Sequence, residues 1–133
     1  MASLSVCRRP RVLVVEDSSM ARSELREALE DAYDVIEAKN GAEALSRAGN
    51  EAFDVVVADI NMPVMGGIEF VRLLRGLPSH AQVPVIVVTA ESSDEVVQRG
   101  RAAGVNAWMV KPLSPSGLVN AVERFAPSLD TAG

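Results

Sequence analysis

The sequence predicts a single α/β domain in which a five-stranded parallel sheet carries helices on both faces. Three observations predict it. Short, continuously apolar, β-branched runs recur along the chain, as strands buried on both faces require. Amphipathic helical patterns fill every gap between them. The two kinds of segment alternate strictly, which calls for right-handed crossovers and a parallel sheet. A chain of 133 residues, 48% hydrophobic, suffices for one good core and not for two.

The first strand is read in Val12-Leu13-Val14-Val15. A helix follows, with Met20, Leu25, Ala28 and Leu29 on one face. Asp34 to Ala38 is a weaker second strand. Asn40 with Glu43 forms a capping box that opens a second helix, whose face is Ala42, Leu45 and Ala48. Val55-Val56-Val57 is the third strand. The third helix carries the stripe Phe70, Leu73, Leu74 and Leu77. His80, the only histidine, lies in the polar stretch from Pro78 to Gln82 and is read as a loop residue and not a ligand. Val85-Ile86-Val87-Val88 is the fourth strand. Ser92 with Glu95 predicts a second capping box, opening the helix from Asp94 to Ala103. Its apolar stripe is thin, and Gly100 interrupts it. Two readings of Gly100 stand side by side: a tolerated surface glycine, or a helix kept easy to shift. Ala107 to Val110 is the fifth strand. Ser114 then Pro115 reads as an N-cap followed by proline at the first helical position, opening a last helix with Leu118, Ala121, Val122 and Phe125 inward.

Residues 1–10 read as a flexible extension, 11–126 as the domain and 127–133 as a flexible tail. Arg8 and Arg9 are read as part of that extension and not as an anchoring patch. Formal net charge is −5, with a pI of about 4.9, which argues against an intrinsic nucleic-acid-binding surface. No apolar run is long enough to span a bilayer. The one cysteine, Cys7, permits no internal disulfide, so a reducing cytoplasm is the expected compartment.

The chemistry-bearing residues fall where strands end. The first strand runs into Glu16-Asp17, the third into Asp59, the fourth into Thr89 and the fifth into Lys111. Open α/β sheets bind ligands outside the carboxyl ends of their strands. Three carboxylates gathered there repel one another, and a hard divalent cation resolves the conflict; few carboxylates plus water and a phosphate is the usual Mg²⁺ arrangement. Lys111 adds a cation for a phosphoryl oxygen and Thr89 a hydroxyl donor, which together describe a phosphoryl-transfer site. Taken singly, each residue has a plainer reading. Asp17 before Ser18-Ser19 suits a helix cap, and Lys111 suits a solvated strand end.

The stretches VLVVEDS, DVVVADINMPVMGGIEF, VPVIVVTA and GVNAWMVKP resemble the receiver domains of two-component response regulators, over about Arg11 to Phe125. The similarity is greatest to stand-alone chemotaxis receivers of the CheY type. The resemblance implies a flavodoxin-like (βα)5 fold with strand order 2-1-3-4-5. It implies Asp59 as phosphoacceptor, and Mg²⁺ held by Asp17 directly, by Glu16 mainly through water, and by Asp59 and the Asn61 carbonyl. It implies Thr89 as the switch hydroxyl, Lys111 as the phosphoryl partner and a cis bond before Pro112. Asn61 and Glu91 take the positions that tune phosphoryl lifetime. Trp108 stands where the family usually has tyrosine or phenylalanine; a role as aromatic switch is weighed against simple packing on the surface between the fourth helix and the fifth strand. Leu113 replaces a frequent phenylalanine, a packing change. Met62-Pro63 and Gly66-Gly67 match the family's loop and helix start, and also suit plain turns.

The expected function is therefore phosphoryl acceptance from a histidine kinase or a histidine phosphotransfer protein. The chain is not a classical enzyme. Its output surface is expected on the fourth helix, fifth strand and fifth helix, meeting a partner protein with no direct nucleic-acid or membrane contact. A phosphate sink without output is the first alternative. A phosphatase of the haloacid dehalogenase type is another, but it requires an aspartate at position 61, where this chain has asparagine. A small flavodoxin is opposed by the acidic Glu16-Asp17 pair.

Overall fold

The computed structural model describes residues 9–62 and 64–126. The readings placed on Cys7, Arg8, Pro63, residues 1–8 and the 127–133 tail lie outside the described residues. Five strands, β1 (Arg11–Val15), β2 (Asp34–Ala38), β3 (Val55–Ala58), β4 (Val85–Thr89) and β5 (Ala107–Val110), alternate with five helices. The helices are α1 (Ser19–Leu29), α2 (Gly41–Asn50), α3 (Gly67–Arg75), α4 (Asp94–Ala103) and α5 (Pro115–Phe125). All strand pairs are parallel, in the order β2-β1-β3-β4-β5.

Side chains on successive strand residues point to opposite faces, so the apolar runs divide between two cores. Leu13, Val15, Val56 and Val85 pack beneath Ala44 and Ala48 of α2 and Phe70, Val71 and Leu74 of α3. Val12, Val14, Val55, Val57, Ile86 and Val88 pack beneath Leu25 and Leu29 of α1 and Leu118 and Val122 of α5. The three central strands are buried on both faces, which is why they read as unbroken runs of valine and isoleucine.

Several helix details differ from the sequence expectation. Met20 is 73% exposed, because it lies in the first turn of α1, beyond the reach of the sheet. Ala42 also faces out; Gly41 and Ala44 are the buried residues there. Leu73 is half exposed, and Val71 takes the inward place. Phe125, read as inward on α5, is partly exposed. The α4 cap is Ser93, whose hydroxyl accepts from Val96 N–H, and not Ser92. At α2, Asn40 caps Glu43 as expected, but the Glu43 carboxylate reaches back to the Lys39 N–H instead of that of Asn40. Ser114 caps α5 with Pro115 behind it. Arg9 and Pro10 are held by the fold: Arg9 donates to the Glu30 carbonyl, and Asp34 N–H donates to the Pro10 carbonyl.

His80 is corrected most strongly. It ends a single 3-10 turn, Pro78–His80, and is fully buried, its ring 5.9 Å from that of Phe53. Its polar neighbours hid that burial.

Candidate functional site

The parallel register brings four strand ends to one level. Val15 pairs with Ala38 and Ala58, Ala58 with Val87, and Thr89 with Val110. Glu16, Asp59 and Lys111 therefore emerge one residue beyond their strands at the same rim, beside Thr89 on the last residue of its own. Glu16, Asp17 and Asp59 each offer an oxygen within 4.8 Å of the others, and among the described residues they form a group able to hold a metal ion. All donors there are hard oxygens, the set that suits a small divalent cation.

Two of the three carboxylates are anchored and one is open. Glu16 is buried; its Oε2 accepts from Ser18 N–H at 3.1 Å and its Oε1 from Lys111 Nζ at 2.9 Å. Asp59 is nearly buried; its Oδ1 accepts from Asn61 N–H at 3.1 Å and its Oδ2 from Lys111 Nζ at 3.2 Å. Asp17 is exposed, free to meet an ion from solvent. It does not cap α1, since Ser18 does that by accepting from Ala21 N–H. Lys111 is likewise not a solvated strand end.

The electrostatics follow from burial and contact. Burial pushes the Glu16 carboxyl above its ordinary value, and the Lys111 and Ser18 hydrogen bonds offset this only in part. Burial also pushes Asp59 up. There the Asn61 N–H, the Thr89 hydroxyl and the Lys111 ammonium prevail and hold it below its ordinary value, so it is an ionised carboxylate at neutral pH. Burial pulls Lys111 down, but the hydrogen bond to Glu16 and the charges of Asp59 and Glu16 outweigh it and raise it.

The remaining candidates surround this group. Thr89 is fully buried, and its Oγ1 accepts from Glu91 N–H at 3.3 Å. The Lys111–Pro112 peptide is cis. Asn61 and Glu91 both line a cleft of about 300 Å³ between the starts of α3 and α4. Trp108 is half-buried against α4 and donates its indole N–H to the Glu91 carbonyl at 2.9 Å. Leu113 is half-buried, at the edge of an apolar groove it shares with Ala21 and Leu25 of α1.

One contributor and one contact were missed from sequence. Arg22 donates to the Glu16 carbonyl at 2.8 Å and pairs with Glu37 at 3.2 Å, which orients the backbone between the two acids. A charged residue on the first turn of α1 beside the acid pair was the available signal. Gly100 is buried and is not a surface glycine: a Cβ there would lie 2.6 Å from the Trp108 ring. Only the fold puts those two residues together.

Comparison with known proteins agrees with this geometry. The sequence profile of the response regulator receiver domain matches residues 12–123. A chemotaxis protein CheY homolog of Campylobacter jejuni is 37% identical over 116 residues, covering 85% of this chain and 89% of its own. Chemotaxis response regulator CheY4 of Vibrio cholerae superposes with a TM-score of 0.83 at 40% identity, covering 87% of this chain and 98% of that one. The receiver domain of the sensor histidine kinase PA1611 of Pseudomonas aeruginosa, solved with a magnesium ion in its active-site cleft, superposes at 0.81 with 25% identity, over 87% and 96% of the two chains. Other curated relatives are longer: the chain spans 55% of the transcriptional regulatory protein PdtaR of Mycobacterium tuberculosis and 15% of the gliding motility regulatory protein of Myxococcus xanthus. With the strand order, the acid cluster and the lysine at one rim, and these matches over nearly all the described residues, the chain belongs to the response regulator receiver domain family.

Proposed function

We propose that Asp59 is the phosphoacceptor of a two-component switch. The observation that supports this best is Lys111, whose ammonium lies within 3.2 Å of both Glu16 and Asp59 in a cluster of three carboxylates. Three negative charges against one positive leave a net −2 that calls for a divalent cation. Glu16, Asp17, Asp59 and the Asn61 carbonyl are the residues to hold Mg²⁺. When bound, that ion supplies positive charge to offset phosphoryl oxygens.

The chain's own groups account for the rest. Asn61 N–H fixes one oxygen of Asp59 and orients the carboxylate. An Asp59 oxygen attacks phosphorus of a phosphohistidine, or of a small donor such as acetyl phosphate. From a phosphohistidine the new O–P bond forms as the N–P bond breaks, and the electron pair leaves on the imidazole nitrogen, which takes a proton; from acetyl phosphate the bond between phosphorus and the acetyl oxygen breaks and acetate leaves. Lys111 turns to a phosphoryl oxygen and Thr89 donates its hydroxyl to another. Hydrolysis later breaks the O–P bond at phosphorus and returns the carboxylate, with Asn61 and Glu91 flanking the water's approach. The reaction is confined to the chain's own side chain. The donor is a histidine kinase or phosphotransfer protein, and the output is a protein that reads the surface of α4, β5 and α5. A haloacid-dehalogenase-like phosphatase is disfavoured by Asn61, which offers no acid.

The test is labelling with acetyl phosphate, with and without Mg²⁺. The expected product is acid-stable, hydroxylamine-labile and Mg²⁺-dependent, and Asp59→Asn abolishes it. Full labelling of that variant overturns the assignment.

A further inference from the structure

We propose that the turn between β2 and α2 positions the metal-binding residues, and that Met65, seated against Gly41, is the contact through which the turn places the Asn61 carbonyl. The proposal rests on the reading that Glu16, Asp17, Asp59 and the Asn61 carbonyl hold Mg²⁺. The turn is fastened by two reciprocal bonds. Asn40 Oδ1 accepts from Glu43 N–H at 2.8 Å, and Glu43 Oε1 accepts from Lys39 N–H at 2.8 Å. Just before it, the Ala38 carbonyl accepts from Glu16 N–H at 3.1 Å. One metal-binding segment is therefore held by the turn through its backbone.

The other segment, residues 60–66, meets the same turn through a side chain. Met65 is half-buried and packs against the core beneath α2 and α3. Gly41, the first residue of α2, is buried, and a Cβ there would lie 3.2 Å from both Cγ and Sδ of Met65 and 3.1 Å from Phe70 Cβ. Carbon atoms pack at roughly 3.5–4.0 Å, so the bare backbone of Gly41 is what lets the thioether lie down on the turn. The hydrogen bonds that hold the segment are local: Asn61 N–H to Asp59 Oδ1, and Gly67 N–H to the Ile60 carbonyl. Neither reaches the Glu16 side of the cluster. Met65 does, by way of Gly41 and the turn. A cation shared by Glu16 and the Asn61 carbonyl needs the spacing of their two segments fixed, and this contact fixes it.

The test is calorimetric Mg²⁺ titration of Met65→Ala, Gly41→Ala and the double variant, with urea unfolding of each. Met65→Ala is expected to weaken Mg²⁺ binding about tenfold, the usual loss when support around a metal's ligands is removed. Gly41→Ala pushes the thioether off the turn and weakens binding about threefold. With Met65 already removed there is no thioether to displace, so Gly41→Ala then adds less than about twofold. Val122→Ala, in the opposite core, separates positioning from stability: it lowers the urea midpoint and leaves Mg²⁺ affinity at the wild-type value. Acetyl phosphate labelling separates binding from chemistry. In Met65→Ala the Mg²⁺ concentration for half-maximal rate rises about tenfold, while the rate at saturating Mg²⁺ stays within about twofold of wild type. Wild-type affinity in either single variant, or losses that add in full in the double variant, overturn the contact and leave the metal reading standing. A wild-type chain that binds Mg²⁺ no better than Asp17→Asn overturns the metal reading, and this proposal with it.

Discussion

At the end of β5 the Lys111 ammonium stands 2.9 Å from Glu16 and 3.2 Å from Asp59, so it occupies charge that a divalent cation would otherwise claim. Cation and ammonium would compete for the same carboxylates, while the proposed function uses both to offset a phosphoryl group. Replacing the lysine therefore has opposite effects on binding and on chemistry. In Lys111→Met the cluster goes from a net −2 to −3, and Mg²⁺ is expected to bind about tenfold more tightly, or ~1.4 kcal/mol. Phosphoryl acceptance is expected to slow about 100-fold, the usual loss for one charge-stabilising donor. Calorimetric Mg²⁺ titration measures the first; acetyl phosphate labelling rates measure the second. Weaker Mg²⁺ binding in the variant would show that the lysine supports the cation instead of competing with it.

The segment joining β3 to α3 shows how an element is shaped by the site it carries. Gly67 opens α3 directly over the backbone that leaves Asp59; a Cβ there would come within 2.6 Å of Ile60 Cα. The helix can start so close to Asp59 only with glycine in that place. The turn before it is reached at a cost. Val64 has φ of 72°, and a β-branched side chain rarely adopts that left-handed conformation. It is also 83% exposed, so packing gives nothing in return. Asparagine tolerates the left-handed region. Val64→Asn is expected to stabilise the fold by about 1 kcal/mol in urea unfolding, with Asp59 labelling retained. A loss of stability would mean that the valine makes up its strain elsewhere. Strand positions were legible in sequence because burial on both faces leaves an unbroken apolar run. Asp59, Thr89 and Lys111 were legible because each follows such a run. Features that depend on contacts across the sheet were not. Ser92 and Ser93 are chemically identical as caps, and only the turn into α4 selects the second. Gly100 acquires meaning only when β5 brings Trp108 beside it.

Across the whole molecule the two ends of the sheet carry different work. The carboxyl ends hold the charged cluster, and the amino ends hold a polar network that joins elements. There Arg11 caps Phe53 at 5.1 Å and pairs with Glu51, and Phe53 meets His80. Arg75, at the end of α3, donates to the carbonyls of His80, Val83 and Gly104 and to the Asn106 side chain. His80 is sealed within this network. Its Nδ1 is 2.8 Å from the Ser79 hydroxyl, and its Nε2 has no hydrogen-bond partner among the described residues. Burial disfavours the imidazolium and lowers its pKa below the ordinary 6.5. The unfolded chain therefore takes up a proton near pH 6.5 that the folded chain refuses. Stability from this group is fully present above that pH and falls as pH drops below it, toward the folded value, at a limiting slope of ~1.4 kcal/mol per pH unit. Stability from this group therefore declines as pH falls from 7 to 5.5. His80→Leu keeps an apolar group against Phe53 and removes the titration, so its stability is expected to fall less over the same interval. Urea unfolding of both proteins at the two pH values measures the difference. Equal losses would show that His80 is protonated without cost in the folded state, and that the amino-end network opens to accommodate it.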